Sequence, residues 1–323
     1  MAGNPNFDAI ASTTLKNYVP KLVDNIFTAR PLVYFLKQAG QIRQIPGGER
    51  IVIPLIYGTN TNVGSYSGYD TLTTTQQAGI SAAEYTWKQF YAGITISGIE
   101  EAQNSGEAAI IDLLEGKIMQ AEESITEAMD IMFFSNGTGN GGKDWNGLLN
   151  LLYDNSPAFG TAVVGGIDGS TETFWRSYHD NTAAALTIAA MATAYNTASV
   201  GNDQPNVILT SQVLYEKYET LLQPQLRFTD TKTADAGFQN LMYKGAPVVY
   251  DANLSAGAPA ANPTYMYFLN TKYLRLVGHS DVWFKPSPFV RPNQTDARYA
   301  QILCYGNLTI SNRARQAVLT QKT

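Results

Sequence analysis

The stretch EEAQNSGEAAIIDLLEGKIMQAEESITEAMDIMFF, residues 100–134, decides how the rest of the chain is read. Its apolar residues fall at Ile111, Leu114, Ile118, Ala121, Ile125, Ala128 and Met132, in steps of three and four that keep one stripe on one helix face. Glu115, Glu122, Glu123, Glu127 and Asp130 fall on the other faces. The spacing predicts one long helix with a packing side, carried by Ile111, Leu114, Ile118, Ile125 and Met132, and a wet, negative side.

Upstream of this helix, residues 1–45 mix short apolar stretches with Pro20 and Pro31, each of which interrupts helix, so an arm with short helices is expected. After Pro46-Gly47-Gly48 the pattern turns to a strand, Arg50 to Tyr57, in which Pro54 removes one ladder donor and points to an edge or a ribbon. Residues 58–84 are rich in Ser, Thr, Gly and Tyr and contain no Lys or Arg, the composition of a polar loop. From Tyr85 to Ser97 alternation returns, with Phe90, Ala92, Ile94 and Ile96 on one side and Tyr85, Trp87 and Tyr91 on the other. Together, residues 46–98 read as a long hairpin. Such a ribbon cannot bury itself, so its aromatics, Tyr66, Tyr69, Tyr85, Trp87 and Tyr91, are candidates for contact with another surface.

Downstream, the glycines of 137–142 read as a helix stop, and Thr173 to Ala198 reads as a helix. Asn206 to Ser211 reads as a strand running into a helix capped by Ser211. Lys244-Gly245 sits between two short strands as a hairpin turn. Tyr265–Leu269 and Tyr273–Val277 add strands, and Trp283 to Leu319 reads as strands again. Helices and strands mix without regular βαβ alternation, which favours an α+β fold.

Composition bounds the function. A chain of 323 residues with 44% hydrophobic residues can bury a large core and has room for two lobes. No run reaches the roughly 18 apolar residues of a membrane span, and the N-terminus lacks the basic and apolar regions of a secretory signal, so no membrane partner or export is expected. The single cysteine, Cys304, has no partner for an internal disulfide. A net charge of −5 argues against a general nucleic-acid coat. The charge is uneven: residues 1–50 are modestly basic, while residues 100–134 hold a third of the acids, an asymmetry suited to contacts between copies.

No concentrated set of catalytic side chains appears. Gly137 to Lys143 matches the phosphate-loop spacing, but Asp144 replaces the hydroxyl residue and the segment follows an acidic helix instead of a strand. His179 and His279 show no metal-ligand spacing with Cys304. Gly64-Ser65-Tyr66-Ser67-Gly68 has Tyr where a nucleophile elbow needs Ser. Glu100-Glu101 and Glu122-Glu123 are neighbours on a helix and point about a hundred degrees apart, so neither pair converges. No cofactor and no metal are expected. An enzyme with an unrecognised active site in residues 161–275 remains the leading alternative on the residues alone.

The order of these parts resembles a family. A basic arm, a ribbon entered at QIPGGERIVIPL, an acidic helix entered at ISGIEEAQN, the turn SNGTGNGGKDWNGLLNLL, then NVILTSQVLYEKYETLLQPQLRF and YKGAPVVYD are similar to the major capsid proteins of tailed bacteriophages, the Hong Kong 97-like fold. The resemblance implies an N-terminal arm over 1–45, an extended loop over 46–98 and a peripheral domain with its spine helix over 99–160. An axial domain over 161–275 and peripheral return strands over 276–323 complete it. It further implies a non-enzymatic subunit that self-assembles into hexamers and pentamers of an icosahedral head, formed in the bacterial cytoplasm around double-stranded DNA. A separate scaffolding protein and a portal protein would be partners, with room for a decoration protein. Glu122 and Glu123 would face the lumen. Residues 58–84 offer no lysine for the covalent crosslink some members make. Another phage structural part, a tail-tube or decoration protein, is the remaining alternative.

Overall fold

Strand β14, Ala297–Ile310, organises one half of the molecule in the computed structural model, which describes residues 15, 30–103, 107–152, 163–222, 241–255 and 264–322. Of these, 101–103, 107–114 and 255 contribute backbone only. Residues alternate buried and half-buried along β14 up to its last turns, as a strand with one covered face must. Strand β4, Lys88–Ser97, runs antiparallel along one edge of β14, in register from Ser97 opposite Ala297 to Lys88 opposite Gly306. Strand β12, Leu274–His279, and the short β13, Lys285–Pro286, pair antiparallel with β14 on its opposite edge. Strand β1, Ile42–Ile45, adds parallel to β12, giving a five-stranded sheet.

The predicted long helix is present as α3, Glu107–Phe134, preceded by a short α2, Gly98–Gln103. It lies against β4, and Ile118, Ala121, Ile125 and Met132 are buried with Ile94 and Ile96 in one core. Ile111 and Leu114, the start of the predicted stripe, have side chains outside the described residues. Near the C-terminal end the buried face widens to Met129, Asp130, Phe133 and Phe134, because a second lobe covers the other side of the helix there. Asp130, assigned from spacing to the wet side, is therefore a buried residue.

That lobe is a six-stranded sheet in the order β7 (Tyr178–Asp180), β15 (Ala317–Thr320), β11 (Tyr265–Leu269), β8 (Val207–Thr210), β10 (Ala246–Tyr250), β9 (Leu241–Tyr243). Every residue of β8, β11 and β15 is buried, as expected of strands covered on both faces. One face, with Ile208, Val248, Met266, Phe268 and Leu319, packs under helices α5 (Ile188–Ala198) and α6 (Gln212–Leu222); α4 is the short Leu148–Leu152. The other face, with Val207, Leu209, Tyr267 and Val318, joins the core of α3 and α4. The β9–β10 turn is as expected: Lys244 and Gly245 both take positive φ, 48° and 85°, the two-residue turn whose twist suits a hairpin.

Three expectations are corrected. The ribbon does not pair Arg50–Tyr57 with Tyr85–Ser97: β2, Ile51–Ile56, pairs with β3, Ile80–Tyr85, while β4 belongs to the five-stranded sheet. The continuous helix over 173–198 is a 3-10 turn at Thr173–Trp175, strand β7 and helix α5, because Tyr178–Asp180 finds ladder partners in Ala317–Leu319 that local spacing cannot reveal. Finally, the C-terminal strands divide: β13 and β14 stay with the first sheet, whereas β15 joins the six-stranded one. Most of the expected arm, residues 1–29 save buried Leu15, lies outside the described residues; Pro31–Gln38 forms helix α1.

Candidate self-assembly surface

The β2–β3 ribbon has a fixed base and a free outer face. Ile51, Ile53 and Leu55 of β2 and Ala83 and Tyr85 of β3 are buried in the main core. A second small hairpin, β5 (Val163–Val164) and β6 (Ile167–Asp168), clamps this base. The Glu84 N–H donates to the Gly165 carbonyl at 2.9 Å. Gly165 has φ +62°, and a Cβ there would meet the Ala83 Cβ at 2.9 Å, so only glycine fits this approach. Tyr57 stacks on Phe174 with ring centroids 4.4 Å apart. On the outer face Val52, Ile56 and Ile80 are exposed by 56%, 84% and 78%, with Pro54 between them. The Arg50–Glu84 ion pair, 2.9 Å, borders this face; with both partners half in water it contributes little to stability.

Beyond the strands, residues 57–79 form a loop held by side-chain hydrogen bonds rather than by a core. Gln77 Oε1 accepts from Thr61, Gln77 Nε2 donates to Asn62, and Asn62 Nδ2 donates to the Thr75 carbonyl at 2.7 Å. Val63, Tyr66, Tyr69 and Leu72 stand out from it, Tyr69 fully exposed. An isolated apolar side chain in water is ordinary, but seven on one ribbon form a surface shaped for a partner.

The five aromatic candidates separate. Tyr66, Tyr69 and Tyr91 are exposed. Tyr85 is corrected: it is 3% exposed, its hydroxyl donates to the Ile310 carbonyl at 2.8 Å, and burial raises its ionisation well above the ordinary phenol range. Trp87 is half-buried: its Nε1 donates to the Gly48 carbonyl at 2.8 Å and its ring lies 5.5 Å from that of His279. Both aromatics hold the ribbon to its own subunit. What spacing missed was the outer face of β2. Its signal was present in IVIPLI, which is apolar at every position, and a strand apolar on both faces needs two covers.

Two further features flank the ribbon. Between β4 and α3 lies a groove of about 410 Å³, lined among others by Phe90, Tyr91, Ala121, Ser124 and Ala128. β4 has β14 on one side only among the described residues, so its other edge borders this groove. Glu122 is half-buried and Glu123 exposed on α3, and neither lines this groove. The Gly-rich turn acts as a helix stop: the Ser135 N–H donates to Met132 O, Gly137 has φ 70°, and Lys88 Nζ donates to the Gly142 carbonyl. His179 is buried and His279 caps Asp281 N–H through Nδ1; burial pushes the Cys304 thiol up to about 12, so it is inert at neutral pH.

No protein-family model and no curated protein matches this sequence. Solved structures do match its fold. The chain superposes on a capsid chain of cyanophage A-1(L) with TM-score 0.63 at 18% identity, covering 89% of this chain and 93% of that one. A capsid chain of a native GTA particle matches with TM-score 0.57 at 12% identity over 89% and 90% of the two chains. The SrpI encapsulin of Synechococcus elongatus PCC 7942 matches with TM-score 0.56 at 11% identity over 89% and 87%. The α+β architecture expected from the order of parts is thus the fold these shell proteins share.

Proposed function

We propose that this chain is the major shell subunit of a tailed-bacteriophage head, assembling through identical contacts into pentamers and hexamers and enclosing double-stranded DNA. The observation that carries the proposal is the extent of the fold match, which takes in nearly all of this chain and nearly all of a phage capsid chain. A shell needs each copy to lend a projecting element to a neighbour, and the β2–β3 ribbon, anchored by Tyr85 and apolar on its outer face, has that form. The work is geometric and calls for no catalytic step. In this reading the five-stranded sheet with α3 is the peripheral domain, the six-stranded lobe is the axial domain, and Glu122 and Glu123 face the lumen. A scaffolding protein, a portal and, in some heads, a decoration protein would be its partners, with the virion as its final location.

A second reading is favoured by one observation, the match to an encapsulin. There the same fold would build a compartment around protein cargo. Electron microscopy of particles purified from a lysate in which the chain is naturally made separates the two. DNA-filled heads with this chain as the most abundant protein are expected. DNA-free shells with protein inside decide for the second reading, and a chain that stays monomeric in the lysate and when purified overturns both.

A further inference from the structure

Asp130 lies about one turn before the end of α3, and Asp251 follows β10 at the head of the 3-10 turn Ala252–Ser255. The two carboxyl groups thus come from the long helix and from the six-stranded lobe. They are 1% and 3% exposed. Asn253 Nδ2 donates to Asp130 Oδ2 at 3.0 Å, and the Asn253 N–H donates to Asp251 Oδ1 at 2.9 Å. The Arg30 guanidinium, just before α1, stands 3.5 Å from Asp130 Oδ2. These contacts use one oxygen of each carboxyl. Asp130 Oδ1 and Asp251 Oδ2 remain buried with no donor among the described residues, while Asn253, bonded to both side chains, holds them beside each other. Two carboxylates can only accept, so a bond between them needs one proton.

We infer that Asp130 and Asp251 form a proton-operated latch between the long helix and the six-stranded lobe, closed while the pair shares one proton and loosened when that proton leaves. Charge bookkeeping supports it. With one proton the pair carries a single negative charge, matched by Arg30, the one cation acting on both carboxyls among the described residues. Without it, two negative charges face each other in a buried joint against one arginine. Burial first, then the charge of Asp251, raises the Asp130 carboxyl from 3.8 to about 7. Burial raises Asp251 as well, opposed by the Asn253 N–H, so the proton belongs to the pair and not to either carboxyl alone. A raised carboxyl gives stability that is full below about pH 4, falls as the pH climbs, and is gone above about 7. The latch is a property of the folded subunit and does not depend on what a shell encloses.

Hydrogen exchange of the intact chain at about pH 5.5 and about pH 8.5, corrected for intrinsic rates, tests it. Peptides over 126–134 and 248–254 are expected to open about tenfold or more at the higher pH, since one pH unit shifts a linked equilibrium by up to tenfold. Asp130→Asn keeps the shape and supplies a permanent N–H donor to Asp251, so its peptides should stay closed at both values. An unchanged pH response in Asp130→Asn, or no response in the wild type, overturns the latch. Should the variant misfold, infrared spectra of wild type carrying isotope-labelled aspartate decide: a protonated carboxyl band at about pH 6 is expected, and its absence overturns the proposal equally.

Discussion

The Tyr85 hydroxyl donates to the Ile310 carbonyl at 2.8 Å, joining the last residue of β3 to the last residue of β14 across 225 positions of sequence. This bond ties the root of the projecting ribbon to the longest strand of the five-stranded sheet. Tyr85→Phe leaves that buried carbonyl without the donor and should lower stability by about 1–3 kcal/mol in urea unfolding. A change under about 0.5 kcal/mol would mean that the root is held by packing alone.

The free end of the ribbon should behave in the opposite way. Replacing residues 60–77 by a short turn keeps β2, β3 and the Gly58–Gly79 approach, and should leave circular dichroism and unfolding midpoint nearly unchanged while closed particles disappear from micrographs. Tyr69→Ser, at a fully exposed position, should alter stability by less than about 0.5 kcal/mol yet slow assembly measured by light scattering. Normal shells from the shortened chain would remove the ribbon from the assembly surface.

Ile118 is fully buried between α3 and β4. Ile118→Asp places an unpaired carboxylate in that core and should cost several kcal/mol, enough to keep the subunit out of the soluble fraction, while Ile118→Val should cost about 0.5–1.5 kcal/mol. Soluble, folded Ile118→Asp protein would show that the packed face is elsewhere.

These outcomes mark how far the sequence reads. Spacing finds the helix and its core stripe at Ile118, Ile125 and Met132, because a 3.6-residue period is local. It also finds the Lys244-Gly245 turn and the inward set Phe90, Ala92, Ile94 and Ile96. It fails where the cause is distant. Lys88–Ser97 alternates equally well as half of a ribbon or as an edge of the β14 sheet, and only ten ladder positions far along the chain decide. Asp130 reads as a solvated acid because the lobe that buries it comes more than a hundred residues later. Tyr85 looks like a contact residue because its acceptor, Ile310, is a backbone carbonyl that leaves no trace in residue types.

Just past β15, a buried lysine pairs with a half-buried aspartate. Lys322 Nζ is 2.9 Å from Asp180 Oδ2 and donates to the Thr182 carbonyl at 2.8 Å, with the lysine side chain 3% exposed. Burial works against the charged Asp180 carboxyl, yet the Lys322 and Thr182 hydrogen bonds prevail and hold its ionisation below the ordinary 3.8. A lowered carboxyl stabilises the fold above about pH 4 and loses that contribution as the pH falls through its folded value. Lys322→Met should therefore destabilise at pH 7 by about 1–2 kcal/mol, since the part-exposed Asp180 keeps water and the Thr182 N–H as partners, and should flatten the acid limb of a stability profile. An unchanged acid limb would place the pH dependence on other carboxyls.

On α3, Glu122 is half-buried and Glu123 exposed, and in the shell reading both look onto packaged DNA. Negative charge there would keep the wall from gripping the phosphate backbone. Changing both to Gln should leave the subunit folded and assembling, because charges in contact with water contribute little to stability. Changing both to Lys alters the wall by four charges per subunit, and emptied shells should then retain DNA at low salt and release it as salt rises, with a steeper salt slope than the wild type. If wild type and the Lys variant retain DNA equally across the salt series, this face of the helix does not line the lumen, whatever else the shell encloses.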